Sequence, residues 1–479
     1  MNTMSVALLA LVLLFVACLA HLLPYLTDPH ALRSYPGPWL AKLSDVWLGR
    51  VAAQGHRSEV VHQLHKQYGT FVRLAPNHLS ICDPDGIQDV YAHGNGTTKS
   101  DFYDAFVSIT RGLFNTRSRA DHTRKRKVVA HVFSQKSVLE FEPYTRVHVA
   151  ALFRQWDREA VCGWMLPWFN YLAFDIIGTH SPSTSLGLRA PFGMLQACAD
   201  TAPTVTYCPA VQIINERGEY SASIGVLPPR WRPWLVRFLL AGMAIAAISK
   251  RLAAPTERTD LLSKLQQGKD EEGRPLGAKE LTADALTQLI AGSDTTSNSS
   301  CAIAYHLAAN PDVQEKLQRE LDAALGGEDD PVVTFEQVRR LPYLDAVINE
   351  GMRVHSTSGI GLPREVPTGG TVLSVPTYTV HRNEDVWGSD ADVFRPERWL
   401  ERDKNELQKA FNPFSFGPRG CIGRNLASME LFIIVASVFR RYHFVLEDTS
   451  QKLDTKEGFL RKPVKCRVGV RRRATGIGM

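Results

Sequence analysis

The stretch Phe414-Ser-Phe-Gly-Pro-Arg-Gly-Cys-Ile-Gly423 sets one cysteine in a Gly/Pro-rich loop just ahead of the apolar run Leu426–Phe439. That run has helical spacing, so the loop delivers Cys421 to a helix N-terminus, where N–H groups and the dipole favour an anion. A thiolate held there is a soft ligand for iron. Gly417, Gly420 and Gly423 let the backbone approach a flat cofactor, Phe414 can shield the sulfur, and Arg419 suits a carboxylate on that cofactor.

A second group of candidates is Ala291-Gly-Ser-Asp-Thr-Thr296, which falls inside the longest helical pattern, Thr282 to Asn310. Thr282 reads as its cap and Asn310-Pro311 as its end. Gly, Asp and two Thr in mid-helix cost helix propensity and bury polar groups, which marks Asp294 and Thr295 as functional candidates. His122 and Arg126 lie one turn apart within His122-Thr-Arg-Lys-Arg126, on a basic helix. Glu350 and Arg353 are spaced i, i+3 on the amphipathic segment Pro342–Arg353. Gly94-Asn-Gly-Thr-Thr-Lys99 lacks full phosphate-loop spacing and is set aside.

These residues need a large scaffold, and 479 residues with 44% hydrophobic and 22% charged content supply an ordinary globular one. A net charge of +6 gives no reason to infer a nucleic-acid partner. Eight cysteines without a Cys-x-x-Cys pair point to a reducing compartment rather than a disulfide framework. Phe71–Ala75 and His78–Cys82, around Pro76-Asn77, predict a β-hairpin. Thr179–Arg189 reads as a loop and Trp234–Ile248 as an apolar helix.

Met4 to Leu23 carries no Asp, Glu, Lys or Arg and is long enough to span a bilayer as a helix. A cleaved signal peptide ending near Ala17-Cys-Leu-Ala20 is the competing reading. Arg33, Lys42 and Arg50 follow the run and none precedes it, which leaves the body of the protein cytosolic. The expected division is an anchor at 1–26, a proline-rich hinge at 27–40 around Pro36-Gly-Pro38, and a catalytic domain at 41–479.

The cysteine loop closely resembles the haem-binding loop of cytochrome P-450 enzymes, Phe-x-x-Gly-x-Arg-x-Cys-x-Gly. Anchor, hinge, basic helix, Ala-Gly-x-Asp-Thr-Thr, Glu-x-x-Arg, the Phe394-Arg-Pro-Glu-Arg398 segment and the cysteine loop occur in that family's order. The resemblance implies a mainly α fold with a small β lobe, preceded by a transmembrane helix. It implies haem b with Cys421 as axial iron ligand, and contacts from Phe414, Arg419, Gly423, His122, Arg126 and Arg364. His122 stands where the family usually has Trp. Asp294 and Thr295 would relay protons during oxygen activation, and Arg398 would join Glu350 and Arg353 in a buried structural network. No flavin or dinucleotide domain is visible, so electrons would come from NADPH through a membrane-bound flavoprotein, the NADPH–cytochrome P-450 reductase. The catalytic domain would face the cytosol from the endoplasmic reticulum membrane. Arg124, Lys125 and Lys127 are candidates to face that partner.

Four segments, Asp101–Ile109, Arg111–Arg117, Asn215–Ala222 and Leu286–Thr296, resemble fungal members that hydroxylate benzoate at the para position. That implies a monooxygenase taking O2 and a small aromatic acid. Phe102 and Phe106 would hold the ring, with Gly292 and Phe459 on other walls, and Tyr103, Ser108, Thr110 and Arg111 as carboxylate donors. Two alternatives stand beside it, another small aromatic substrate and a haem-binding but impaired variant. The second arises because Pro367-Thr-Gly-Gly-Thr runs almost directly into Ser374-Val-Pro, where the family usually has a further β-hairpin.

Overall fold

The computed structural model describes residues 22–107, 109–158, 162–180, 209–229, 232, 261–326 and 330–473, with positions 8, 11, 12, 15, 16 and 19. Ser108, most of the expected anchor, nearly all of the Thr179–Arg189 loop and the Trp234–Ile248 helix lie outside the described residues. Among those described, no helix is long and apolar enough to cross a membrane.

Helix α1 (Arg57–Tyr68) leads into β1 (Phe71–Ala75) and β2 (His78–Ile81), which pair antiparallel around Pro76-Asn77 as the alternation predicts. Strand β3 (Thr98–Lys99) and helices α2 (Arg119–Ala130), α3 (Met165–His180) and α4 (Pro209–Gly225) follow. Helix α5 (Ala278–Ala309) runs for 32 residues, or about 48 Å at 1.5 Å per residue. It starts four residues before Thr282, because the Thr282 hydroxyl donates back to the Ala278 carbonyl (2.8 Å) and Glu280 instead accepts from Gly277 N–H (3.4 Å). Then come α6 (Pro342–Val354), β4 (Arg364–Glu365), β5 (Val372–Ser374) and α7 (Arg424–Arg441).

Helices α3, α5 and α7 interlock in the main core, where Ile176, Ile303, Leu307, Met429 and Ile433 are buried. Each such side chain contributes roughly 1.5–3 kcal/mol by leaving water. The β lobe is a five-stranded sheet in the order β1-β2-β5-β4-β3.

The shortened link after Arg364 is closed. Arg364 pairs with Leu373 and Glu365 with Val372, and Val366 N–H donates to the Thr371 carbonyl at 2.9 Å. Gly369 (φ 87°) and Gly370 (φ 65°) turn the chain in the left-handed region that only glycine adopts cheaply. Where the further hairpin is missing the backbone closes locally, since two adjacent glycines allow a reversal shorter than the usual one. The Pro36–Pro38 elbow is docked rather than free. Arg73 N–H donates to the Pro36 carbonyl (2.8 Å), and a Cβ on Gly37 would lie 2.4 Å from Arg73 O.

Candidate active site

The cysteine loop is fixed from three sides. Cys421 N–H donates to the Phe414 carbonyl (2.8 Å), and the Arg126 guanidinium donates to the Gly420 carbonyl (2.9 Å). Gly417 adopts φ 69°, and a Cβ there would stand 1.9 Å from the Tyr91 carbonyl, so no other residue fits. Gly423 is the N-cap of α7. Burial pushes the Cys421 thiol up, while the Gly423 N–H, Arg424 and Arg126 pull it down. Yet Cys421 keeps accessible surface. A side chain both enclosed and accessible opens onto an internal space, which suits a ligand to a buried cofactor. Phe414 packs under the Arg424 guanidinium, 5.5 Å from its ring centroid.

Behind this loop the Glu350 carboxylate anchors the scaffold. Arg353 grips it with two hydrogen bonds of 2.8 Å, and Arg398 Nε adds one of 2.9 Å. Trp399 Nε1 (3.0 Å) and Arg395 N–H (2.9 Å) complete its shell. All three charged side chains are fully buried. Burial pushes the Glu350 carboxyl up, but the two guanidiniums outweigh it and leave the group below its ordinary range. Such a network mainly fixes geometry, because desolvation offsets most of its attraction.

Five cationic or protonatable side chains gather on one flank of the loop: Lys99, His122, Arg126, Arg364 and Arg419. Arg419 donates to the carbonyls of Thr116 (2.6 Å) and Arg117 (2.9 Å), and Arg364 to the Tyr103 hydroxyl (3.0 Å). Lys99 donates to the Phe114 carbonyl. Among the described residues, the hydrogen bonds of Lys99, Arg126, Arg364 and Arg419 end on backbone carbonyls or on Tyr103, never on a carboxylate. Burial, then the neighbouring cations, push His122 down to about 3 and Arg419 to about 10, and hold Lys99 well below its usual value. Arg364 Nη2 is buried with no hydrogen-bond partner. Such a cluster demands an anion with several acceptor oxygens, and the two propionates of a haem meet that demand.

Helix α5 presents Ala291, Asp294 and Thr295 to a cavity of about 120 Å³. Burial raises the Asp294 carboxyl, and the Lys462 ammonium, 3.9 Å away, partly offsets this. The Thr295 hydroxyl donates to the Ala291 carbonyl at 2.7 Å. Phe106, Phe114, Ile290 and Phe459 supply apolar walls, and Arg217 on α4 also lines the space. Phe106, Phe114 and Phe459 stack edge-on, with centroids 5.2–5.7 Å apart.

The chain is similar to proteins of one family throughout. The profile described as Cytochrome P450 matches residues 34–215 and 234–470. This chain is a member of the cytochrome P450 family. Benzoate 4-monooxygenase bphA of Aspergillus niger is 48% identical over 507 aligned positions, covering 96% of each chain. The alignment is longer than the 479-residue chain, so that relative carries segments missing here. Pisatin demethylase of Fusarium vanettenii is 31% identical over 86% of this chain and 85% of its own. The cytochrome P450 monooxygenase hepC of Aspergillus oryzae is 30% identical over 87% of each. A P450 is a haem monooxygenase that uses O2 and a redox partner, and the Cys421 loop with its cationic flank fits the haem.

Several expected substrate contacts lie elsewhere. Arg111 is spent on Asp104 (2.6 Å) with a side chain 41% exposed, and the Tyr103 hydroxyl accepts from Arg364. Gly292 faces Ile177, since a Cβ would lie 2.7 Å from Ile177 Cδ1; it permits close packing of α5 on α3. Phe102 packs against Phe106 and Phe459 but does not line this cavity. Lys125 does not face outward: it is 2% exposed, with its ammonium on the Arg111 carbonyl. Arg124 and Lys127 are engaged with Glu280 and Glu271. Arg217, Lys462, Lys99 and Phe114 were assigned no role from sequence. Arg217 does lie in the Asn215–Ala222 segment that carries part of the resemblance.

Proposed function

We propose that this P450 hydroxylates benzoate to 4-hydroxybenzoate, consuming O2, NADPH and a proton and releasing water and NADP+. The observation that carries this reading is the cavity beside Asp294 and Thr295, with three phenylalanines for a ring and Arg217 for a carboxylate. Arg217 Nη2 donates to the Phe106 carbonyl at 3.1 Å, which holds the guanidinium at the aromatic wall. Lys462 is the other cation lining the space, but it stands beside Asp294. Holding the carboxylate at Arg217 offsets its desolvation and orients the ring. The relative that is 48% identical bears the name benzoate 4-monooxygenase, which supports the same substrate.

The haem, when bound, supplies O2 activation and transfer of one oxygen atom. Cys421 would hold its iron, and His122, Arg126, Arg364, Arg419 and Lys99 would hold its propionates. Asp294, whose carboxyl is raised by burial, stands next to Thr295 to pass protons toward its hydroxyl, with the Lys462 ammonium 3.9 Å behind it. The phenylalanines exclude water from the ring.

The electron source in this reading is a membrane-bound NADPH–cytochrome P-450 reductase. Residues 1–26 anchor the chain in the endoplasmic reticulum membrane, 27–40 form the hinge, and 41–479 form the cytosolic catalytic domain. Exposed Trp39 and Leu40 at the end of the hinge, with Val46 just beyond it, support a membrane-facing N-terminal edge. The test is the reduced, CO-bound spectrum of the wild-type and Cys421→Ser proteins, with product analysis of benzoate turnover. A thiolate-type spectrum lost in the mutant, and 4-hydroxybenzoate as product, are expected. Turnover only of other aromatic acids would replace the substrate; a spectrum without turnover would leave a haem-binding protein.

A further inference from the structure

A second cavity, of about 140 Å³, lies between the start of α1, the β lobe and the end of α4. Two buried donors that line it have nothing to bond. Arg57 Nη1 and Ser100 Oγ lack hydrogen-bond partners, though the residues are only 3% and 1% exposed. A buried donor left unsatisfied costs about 1–3 kcal/mol, and two on one cavity point to a shared acceptor. The carboxylate that acts on Arg57, Glu457, accepts instead from Ser58 N–H and Oγ, both at 2.5 Å. His78 also lines the space; its Nε2 contacts the Ser374 hydroxyl at 2.8 Å, and burial followed by Arg57 pushes it down to about 3, so it stays neutral. Asp101 is matched by Arg232 at 3.3 Å. Asp45 also lines the space.

The rest of the lining mixes apolar side chains, including Leu48, Phe102, Val226 and Val372, with the polar Asn77 and Arg232. The cavity volume of about 140 Å³ is close to the ~150 Å³ that holds a benzene ring. Phe102 is the partition: its ring lies 5.3 Å from Phe106 and 6.4 Å from Phe459, both of which line the catalytic cavity. Gly225 makes room for it, since a Cβ would stand 2.7 Å from Phe102 Cδ2.

We propose that this cavity is a second binding site for a small aromatic carboxylate, gripped by Arg57 and Ser100 and divided from the catalytic cavity by Phe102. The ligand class rests on the benzoate reading; the presence of an acceptor-bearing ligand rests on the two orphaned donors. The test uses full-length, haem-loaded enzyme, with equilibrium dialysis of labelled benzoate beside the haem spectral titration. Wild type should bind two benzoates by dialysis and one by spectrum. Arg57→Gln should weaken the spectrally silent site about tenfold or more, as loss of a charge-assisted hydrogen bond implies, with the spectral titration unchanged. Ser100→Ala should weaken the same site by a smaller factor. 4-Hydroxybenzoate should displace benzoate there and neutral benzamide should not. One benzoate in the wild type, two in Arg57→Gln at unchanged affinity, or equal displacement by benzamide would each overturn the proposal. An Arg57-dependent site without a spectral shift or turnover would sink the benzoate hydroxylase reading while this site stands.

Discussion

Two arginines near the expected substrate segment take different jobs. Arg111 is held by Asp104 at the surface, whereas Arg217 lines the cavity beside Asp294 and Thr295. Arg217→Met should therefore raise KM for benzoate at least tenfold, about 1.4 kcal/mol, with haem retained. Arg111→Ala should leave KM within about twofold, as expected of an exposed pair; steady-state kinetics on both variants, with equal KM values, would contradict the division. Thr295→Ala should keep haem and substrate binding but divert reducing equivalents to peroxide, read as peroxide formed per NADPH consumed. Unchanged coupling would remove Thr295 from the proton path. At this scale contiguous groups drew attention in the sequence: Cys421 with its glycines stood out by pattern and Asp294-Thr295 by their place in mid-helix. Glu350-x-x-Arg353 gained its partner Arg398 only from the family resemblance, and the structure shows that network. Arg217, Lys99 and Lys462 were not legible, because each acquires meaning only from a neighbour far along the chain. Arg111 carries the right charge in the right segment, but its pairing with Asp104 is visible only in the fold.

Elements were easier to foresee than their ends. The hairpin of β1 and β2, the basic helix α2 and the long helix α5 all follow from periodicity, but α5 begins at Ala278 because Thr282 bonds backward rather than capping. The link between β4 and β5, where a segment is missing, closes through Gly369 and Gly370. Each adopts positive φ, so Gly369→Ala and Gly370→Ala should each cost about 1–2 kcal/mol. Thermal unfolding should show a drop of a few degrees for each. Inserting a hairpin between Gly370 and Thr371 should gain nothing, since Val366 N–H already finds the Thr371 carbonyl. A clear rise in melting temperature or haem content on insertion would show the short turn to be strained.

Across the whole molecule, burial decides the response to pH. Glu430 on α7 is deeply buried, accepts from the Thr296 hydroxyl of α5 at 2.9 Å, and has its carboxyl pushed up to about 8. Its folded pKa lies above its unfolded one, so its contribution is intact below about 4.5 and is lost as pH rises through 8. Glu430→Gln removes that dependence, and its stability relative to wild type should grow by up to ~1.4 kcal/mol per pH unit across that window. Denaturant unfolding at pH 5.5, 7 and 8.5 reads this, and a constant difference would show that Glu430 is ionised in the fold. The overall P450 architecture was legible from motif order, while the closeness of Glu430 to Thr296 was not, since two helices must cross to create it. The cationic flank of the cysteine loop is drawn from Lys99, His122, Arg126, Arg364 and Arg419. Cations drawn from positions more than 300 residues apart meet only when the β lobe, the basic helix and the cysteine loop have packed together, so haem affinity reports on the tertiary fold as a whole, and haem release should track global unfolding.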